Sequence, residues 1–266
     1  MASAHALSGV RHDPWVGRLQ TCGITEDATT RLSSAVSGER RIAGKRDIRR
    51  SGAHDDGLVV LLEGWACRYR LFCDGRRHIS MIFLPGDLCN PAALYGPGET
   101  SGIGALSACR VLDIDIDRLG DDARACPSVT DGLAMLAARE NAVLTERTVS
   151  VGRRAAIERV AHLLCELSLR LALAGHGSSS GFRLAMTQED MADTLGLTGV
   201  HVNRMLHSLR ADGLIDIVDR HVKIKDWAGL CATAMFDDAY LGLPVRTSAD
   251  ERRGPTGGAT LPLTLV

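Results

Sequence analysis

The chain has 266 residues, of which 45% are hydrophobic and 24% charged, and its formal net charge is −1. This composition excludes a wholly disordered chain, because it supplies enough apolar surface for one large or two ordinary folded domains. The near-zero net charge excludes a globally basic nucleic-acid coat, so any contact with DNA has to come from a local patch.

Eight cysteines are spread along the chain, and no two of them form a C-x-x-C pair. We therefore expect reduced, mostly core-filling thiols rather than a zinc or iron–sulfur site, and no resident metal or cofactor. The start of the chain lacks the pattern of a secretory signal, and no apolar stretch reaches the roughly 20 residues of a membrane span. We expect a cytoplasmic protein with no membrane partner.

The first half of the chain is predicted to be rich in strands. Residues 1–20 show no hydrophobic period, which favours a flexible arm. An apolar run from Leu58 to Leu62 is followed by a period-two alternation from Trp65 to Leu71. Asp74-Gly75, directly after this alternation, is a strong hairpin signal and predicts a return strand.

The strand-rich pattern continues beyond this hairpin. A stretch rich in glycine and proline, residues 90–104, predicts a loop, and residues 110–115 alternate again as one more strand. Short strands separated by frequent turns are typical of a small antiparallel roll or barrel. We therefore assign residues 21–126 to a β-roll.

Residues 127–152 are predicted to form one long amphipathic helix. Its apolar stripe consists of Val129, Leu133, Leu136 and Val143, at spacings of three, four or seven. The stripe fits a helix packed on its own roll, and it fits a helix paired with its twin in a dimer. The pattern alone leaves both interpretations open.

The segment from residue 153 to 235 carries the functional signal. Thr187 is a good N-cap with Asp190 three residues on, Gly196 suits a sharp turn between helices, and Thr198 caps a second helix. Two short alternating runs follow and predict a β-hairpin. Helix, tight turn, helix and hairpin form a winged helix-turn-helix, whose second helix enters the major groove of DNA. Residues 236–266 look like a disordered tail.

Local charge agrees with this prediction. Between Gly196 and Lys225, five arginine and lysine residues stand against three aspartates, which gives +2 in a chain whose total is −1. A short αα-hairpin without a nucleic-acid role would explain the turn, but not the polar outer face followed by a basic hairpin.

Together these features resemble the Crp/Fnr family of bacterial transcription regulators, over roughly residues 58–227. The most specific matches are the runs 61–65 (LLEGW), 84–87 (LPGD), 187–189 (TQE) and 195–198 (LGLT). The resemblance implies an α+β protein: an antiparallel, cyclic-nucleotide-binding-like β-roll, a long dimerisation helix over 127–152, and a C-terminal winged helix-turn-helix. It also implies a homodimer that binds inverted-repeat double-stranded DNA, with RNA polymerase as a further partner.

The resemblance places the DNA contacts at the start of each helix of the motif. Arg204 matches the arginine that family members direct at guanine. Two positions depart from the family pattern. Gly199 stands where one branch carries an arginine, and Val200 stands where family members often carry an acidic residue. We therefore expect an operator that differs from those of the well-known branches. The expected contacts are Thr187, Gln188, Thr198, Gly199, Val200, His201, Asn203, Arg204 and His207.

The sensor half departs further from the family. Members that bind cyclic nucleotides carry a glutamate after the Gly-Asp turn and an Arg-Ser pair about ten residues on, whereas here Asn90-Pro91 follows the turn and residues 98–102 contain no arginine. We expect weak or no binding of cyclic AMP, and an unidentified small-molecule effector. The expected effector pocket consists of Gly86, Asp87, Leu88, Thr100 and Ser101.

The cysteines and histidines also bear on other sensing chemistries and functions. Only Cys22 precedes Cys67, which excludes an N-terminal iron–sulfur cluster, while a haem or a thiol switch stays open. A cupin-like metal-dependent enzyme would need an H-x-H pair, but His54 and His78 stand alone. Residues 177–181 match G-x-S-x-G, yet they follow a helix in a loop, so we expect no enzyme. An adaptor that has lost DNA binding is the remaining alternative.

Overall fold

The computed structural model describes residues 14–21, 24–52, 57–94, 101–119, 126–177 and 181–242. The helices are α1 (Pro14–Thr21), α2 (Glu26–Ser34), α3 (Pro127–Arg153), α4 (Ala156–Leu173), α5 (Gln188–Leu195), α6 (Gly199–Ala211) and α7 (Trp227–Ala234). The strands are β1 (Val36–Ile42), β2 (Asp47–Arg49), β3 (Gly57–Glu63), β4 (Ala66–Leu71), β5 (Arg77–Phe83), β6 (Gly102–Ala105), β7 (Cys109–Asp115), β8 (Gly181–Arg183), β9 (Ile215–Val218) and β10 (His221–Ile224).

Two antiparallel sheets form the N-terminal half, with strand orders β1-β7-β3 and β2-β6-β4-β5. The β4–β5 hairpin turns where Asp74-Gly75 predicts it, and Gly75 takes a φ of +84°, which costs a glycine little. The first five residues of β3 are buried, and β7 alternates buried and half-buried positions, so the apolar side chains of both fill the interior. The predicted antiparallel β-roll is confirmed.

One predicted loop ends in a strand. Residues 102–105, at the end of the loop expected over residues 90–104, form β6, which pairs with β2 and β4. Gly102 and Gly104 lie under the ring of Tyr69, and a Cβ on Gly102 would come within 2.7 Å of that ring. The glycines make room for the aromatic ring, but they remove the side-chain pattern by which a strand is recognised.

The arm expected to be flexible over residues 1–20 is corrected in its described part. Residues 14–21 form α1, and Trp15 and Leu19, four residues apart on one face, are each 1% exposed. They pack with Ile24 and with Leu32 of α2 in the cluster that also holds residues of β3 and α3. Residues 1–13 lie outside the described residues.

The tail expected to be disordered over residues 236–266 is corrected in the same way. A 3₁₀ turn, Ala239–Leu241, lies against α3, with Leu241 buried. Tyr240 stacks near His162 of α4 and its hydroxyl donates a hydrogen bond of 3.2 Å to Glu166. Two aromatic anchors in this segment, Phe236 and Tyr240, therefore hold it to α4, whereas residues 243–266 lie outside the described residues.

The long helix α3 has 27 residues, begins with Pro127 at its first position and ends at Arg153. Its buried residues include Val129, Leu133 and Val143 of the predicted stripe, so packing on its own protomer accounts for that face. Within the described ranges, no helix combines the length and hydropathy that a membrane crossing requires.

Candidate nucleic-acid interface

The turn between α5 and α6 is built by the residues that predict it. The Thr187 hydroxyl accepts a hydrogen bond from the Asp190 N–H at 3.1 Å, and the Asp190 carboxylate accepts one from the Thr187 N–H at 2.8 Å. Gly196 then takes a left-handed conformation, with φ +63° and ψ +40°, that ends α5. Thr198 caps α6 by accepting from the His201 N–H at 3.3 Å. The predicted capping box, turn and second cap are confirmed.

Helix α6 separates an apolar side from a polar side. Val202, Leu206 and Leu209 are buried in the cluster that also contains residues of α4, α5 and the hairpin strands. On the opposite side Asn203 and Arg204 are exposed, together with His201 and His207. Val200 is 80% exposed although it is apolar. The helix therefore presents a row of side chains that its own domain leaves free to contact a partner.

The predicted hairpin forms a wing beside α6. Strands β9 and β10 are joined by Asp219-Arg220, both with positive φ, which is the geometry of a two-residue turn in a tight hairpin. A third strand, β8, pairs with β10 and was not predicted, because it has only three residues and begins with a glycine. Arg183, Arg220 and Lys223 are exposed, so the wing carries positive charge.

A cleft of about 320 Å³ lies between the start of α5, the side of α6 and the wing. It brings together four of the expected contact residues, and it adds Arg210 and Arg220, which contribute to the local positive charge but are not among the expected contacts. Arg210 lies three and seven residues after His207 and Asn203, so helical spacing could have identified it. The lining is Leu184, Met186, Thr187, Gln188, Met191, Asn203, Leu206, His207, Arg210, Ile217 and Arg220.

The remaining expected contacts, including Arg204, lie outside this cleft at the N-terminal part and outer side of α6. Gly199 has no side chain to offer, and a Cβ at this position would lie 2.3 Å from a carboxylate oxygen of Glu189. The glycine therefore makes room for Glu189 of α5 beside the N-terminus of α6, where a negative charge is favourable. This contact gives a structural reason for one of the two departures from the family pattern.

Comparisons with known proteins agree with this architecture. Residues 158–233 match the Crp-like helix-turn-helix domain. The nitrogen fixation regulation protein FixK of Bradyrhizobium diazoefficiens is 35% identical over 176 residues, which are 65% of this chain and 72% of that protein. The chain belongs to the Crp/Fnr family. The transcriptional activatory protein AadR of Rhodopseudomonas palustris is also similar, at 33% identity over 173 residues, 64% of this chain and 70% of that protein.

The solved structure of FixK2 from Bradyrhizobium japonicum has the same fold, with a TM-score of 0.67 and 26% identity over 74% of this chain and 96% of that chain. This Crp/Fnr protein is accordingly a transcription regulator with a helix-turn-helix DNA-binding domain.

In this Crp/Fnr regulator, α5 is attached to the β-roll by ion pairs. The Asp190 carboxylate is 2.6 Å from the Lys45 ammonium and 2.6 Å from the Arg77 guanidinium, and Arg77 also pairs with Asp193 at 2.7 Å. Burial raises the pKa of Asp190, but hydrogen bonds from Lys45, Thr187 and Arg77 outweigh it and hold the pKa at about 2. We call Lys45, Arg77, Asp190 and Asp193 the interdomain clamp.

A second connection joins the roll to α4 through Arg170. Its guanidinium donates to the Asp87 carboxylate at 2.9 Å and to the Ile82 carbonyl at 2.8 Å, and it pairs with Glu166 at 3.1 Å. Burial raises the pKa of Glu166, but the charges of Arg147 and Arg170 outweigh it and lower that pKa overall. The carboxylate of Glu166 is therefore kept charged in the interior.

The residues expected to form an effector pocket make structural contacts where the structure describes them, and the pocket itself stays a prediction. Asp87 contacts Arg170, Gly86 forms the turn after β5 with a φ of +90°, and Leu88 is buried in an apolar cluster. Ser101 is half-buried just before β6, and Thr100 lies outside the described residues. The turn from Gly86 to Leu88 thus contributes to packing and to the contact between the two halves of the chain.

Proposed function

We propose that this regulator acts as a homodimer that binds inverted-repeat double-stranded DNA, with α6 of each protomer in a major groove. The observation that carries the proposal is the exposed row on α6, from Val200 to His207, next to a wing of positive charge. The proposed contacts are the nine residues expected from the sequence, with Arg210, Arg220 and Lys223 added.

In this proposal, exposed side chains of α6 recognise the bases. Arg204 can donate two hydrogen bonds to O6 and N7 of guanine, Asn203 can pair with adenine, and Val200 can contact a thymine methyl group. Each good bidentate contact contributes roughly 1–3 kcal/mol of discrimination against the wrong base. The lack of an acidic side chain at position 200 removes one possible acceptor for the cytosine amino group.

In the same proposal, residues at the N-terminus of α5 and on the wing contact phosphates. Thr187 and Gln188 lie at the N-terminus of α5, where free backbone N–H groups favour an anion. Arg220 and Lys223 lie exposed on the wing, at the other side of the cleft. Such contacts position the protein on the duplex without reading its sequence, and they make affinity depend on salt.

The exposed side of α3 supports dimer formation. Its exposed positions from residue 134 to 152 are uncharged, and six of them recur at alternating spacings of four and three, which is the 3.5-residue period of paired helices. The small side chains in this row allow a second helix to approach closely. The row is Ala134, Ala138, Asn141, Thr145, Thr148 and Gly152, with Val149 beside it.

The proposed regulator has two arrangements of its dimer in the cytoplasm. A small-molecule effector of the roll shifts the distance between the two α6 helices, so that they match half-sites one helical turn apart or do not. The contacts of α5 and α4 with the roll support this coupling, because they connect the sensor half to the DNA-binding half. RNA polymerase is the proposed partner of the DNA-bound dimer.

The DNA-binding part is tested by selecting a binding sequence from random duplexes and measuring affinity by fluorescence anisotropy at fixed salt. Arg204→Ala should weaken the selected sequence about 5- to 150-fold and relax the preference at one base position. Lys223→Ala should weaken all sequences similarly and reduce the salt dependence. Arg76→Ala, an exposed arginine on the roll, is the control. If Arg204→Ala leaves both affinity and preference unchanged, α6 does not read DNA and the adaptor interpretation gains support.

The dimer is tested by sedimentation velocity with a charge placed on the row. Ala138→Glu should convert the dimer to a monomer, because two buried carboxylates would face each other across the interface. Ala172→Glu, the same change at an exposed alanine of α4, should leave the dimer intact. A wild-type monomer, or equal behaviour of the two variants, would contradict dimerisation along α3.

A further inference from the structure

Two thiols that the sequence places 66 residues apart meet inside the DNA-binding domain. Cys165 of α4 and Cys231 of α7 are both free, and their Sγ atoms lie 3.9 Å apart. Cys165 is fully buried, while Cys231 is half-buried at the surface of the contact between the two helices. The pair has no role in the DNA interface described above, because it lies on the α4–α7 contact rather than on the exposed side of α6.

We propose that Cys165 and Cys231 form a peroxide-reactive dithiol that closes to a disulfide within the DNA-binding domain. The Cys231 thiolate attacks hydrogen peroxide, which breaks the O–O bond, forms a sulfenic acid on Cys231 and releases hydroxide. The Cys165 thiol then attacks the Cys231 sulfur, so that the S–S bond forms and water leaves with the proton of Cys165. The two cysteines lose two electrons in total, and peroxide is reduced to hydroxide and water; the proton released when Cys231 ionised converts the hydroxide to a second water.

The environments of the two sulfurs fit these two roles. Cys231 is the one that an oxidant can reach, and Cys165 lies behind it, at van der Waals distance, where it can resolve the sulfenic acid. The hydrogen bond that the two thiols share lowers the pKa of Cys231, and the same bond, with burial, raises the pKa of Cys165. The more accessible sulfur is thus also the one with more thiolate character, which is the form that reacts with peroxide.

Other cysteines in the described part of the chain are less suited to this reaction. Burial raises the pKa of Cys67 to about 12 and that of Cys109 to about 11, and it raises the pKa of Cys89 as well. Such thiols stay protonated at neutral pH and react slowly with peroxide, so they are poorly suited to the first step, which needs a thiolate. These three thiols of the β-roll are therefore not expected to begin this oxidation.

Closure requires a movement that the two helices can supply. A disulfide needs its sulfur atoms about 2.05 Å apart, so the present distance of 3.9 Å has to shorten by roughly 2 Å. In the proposal, rotation about the Cα–Cβ bonds together with a small shift of α7 towards α4 supplies this movement. Because α4 also supports α6 and α7 follows the wing, the bond would connect the core under the recognition helix to the end of the wing.

The experiment treats the folded, reduced full chain with a small excess of hydrogen peroxide, removes the peroxide with catalase, and alkylates all remaining thiols after denaturation. Two of the eight cysteines should become protected together, and a non-reducing peptide map should show the peptide of Cys165 linked to that of Cys231. Dithiothreitol should return all eight to the alkylated form. Because no DNA is present, this result does not depend on the proposed function.

Variants assign the two roles. Cys231→Ser should abolish the linked peptide, and Cys73→Ser, which removes an exposed thiol of the roll, should leave it unchanged. Cys165→Ala should let the sulfenic acid of Cys231 accumulate, so that dimedone labels Cys231 more strongly than in the wild type. Peroxide that leaves both thiols alkylatable, or that links either to a different cysteine, overturns the proposal. If Cys165→Ala does not fold, as judged by circular dichroism, the wild-type peptide map decides alone.

Discussion

Asp190 offers the sharpest test of how the two halves of the chain are held together. This carboxylate is fully buried, caps the start of α5 and accepts hydrogen bonds from Lys45 and Arg77 of the β-roll. Asp190→Asn keeps the size and one acceptor oxygen, so the Thr187 N–H can still be satisfied. What the substitution removes is the negative charge that the two cations of the roll neutralise.

The magnitude follows from the pKa of Asp190, which lies at about 2 instead of the ordinary 3.8. This difference corresponds to about 2 kcal/mol of stabilisation near neutral pH. The folded-state pKa is the lower one, so the stabilisation is complete well above pH 3.8 and is lost as the pH falls towards 2. About half of it should remain near pH 3.

Urea denaturation followed by tryptophan fluorescence, at pH 7, 4 and 3, measures the effect. Asp190→Asn should lower the free energy of unfolding by about 2 kcal/mol at pH 7, and the difference from the wild type should shrink at pH 3. Asp74→Asn, which changes an exposed carboxylate in the β4–β5 turn, should have little effect. A difference that stays the same at all three pH values would mean that the charge of Asp190 does not stabilise the fold.

The same assay checks three further predictions. Gly196→Ala should destabilise the fold by roughly 1–2 kcal/mol because φ is +63° there, whereas Gly17→Ala in α1, with open space around it, should be neutral or slightly stabilising. Arg170→Met should lower the free energy of unfolding by about 3–5 kcal/mol, because Glu166 stays buried with one cation fewer, and Glu166→Gln should reduce that loss in the double variant. Gly102→Ala should cost about 1–3 kcal/mol through its clash with the ring above β6.

Much of the DNA-binding motif could be predicted because its signals are local. An N-cap such as Thr187 forms a hydrogen bond with a residue three positions away. Gly196 is favoured at its position because the backbone there has a positive φ. The hairpin at Asp74-Gly75 is local in the same sense. Such features involve neighbours along the chain, so a single sequence contains all the partners that are needed to recognise them.

The elements that were missed depend on distant partners. Gly102 and Gly104 lie in a strand that is covered by the ring of Tyr69. No residue close to position 102 in the sequence predicts this contact. Helix α1 and the turn after Phe236 are ordered because a few of their apolar side chains pack against residues that are distant in the sequence. Hydrophobic periodicity needs several side chains in one segment, and these short pieces contain too few.

The interdomain clamp shows the same limit at the functional site. Asp190 could be recognised as a capping residue from Thr187 alone, but its contacts with Lys45 and Arg77 join residues more than 110 positions apart. The resemblance to the family gives a position for the expected effector pocket, around Asp87. It does not indicate that Arg170 of α4 contacts the Asp87 carboxylate in this chain. Long-range ion pairs leave no pattern in one sequence, because any exposed cation is an equally good candidate.

The carboxylate of Asp190 therefore takes part both in the N-cap of α5 and in the interdomain clamp. The oxygen of Asp190 that accepts from the N–H and hydroxyl of Thr187 lies on the same group that the roll holds through Lys45 and Arg77. Thr187 begins the helix whose N-terminus faces the cleft beside α6, so a displacement of the roll changes the electrostatic surroundings of that N-terminus directly. One buried charge thus links the roll directly to the cap of the helix-turn-helix, so the coupling that we propose between the two halves needs no long chain of contacts.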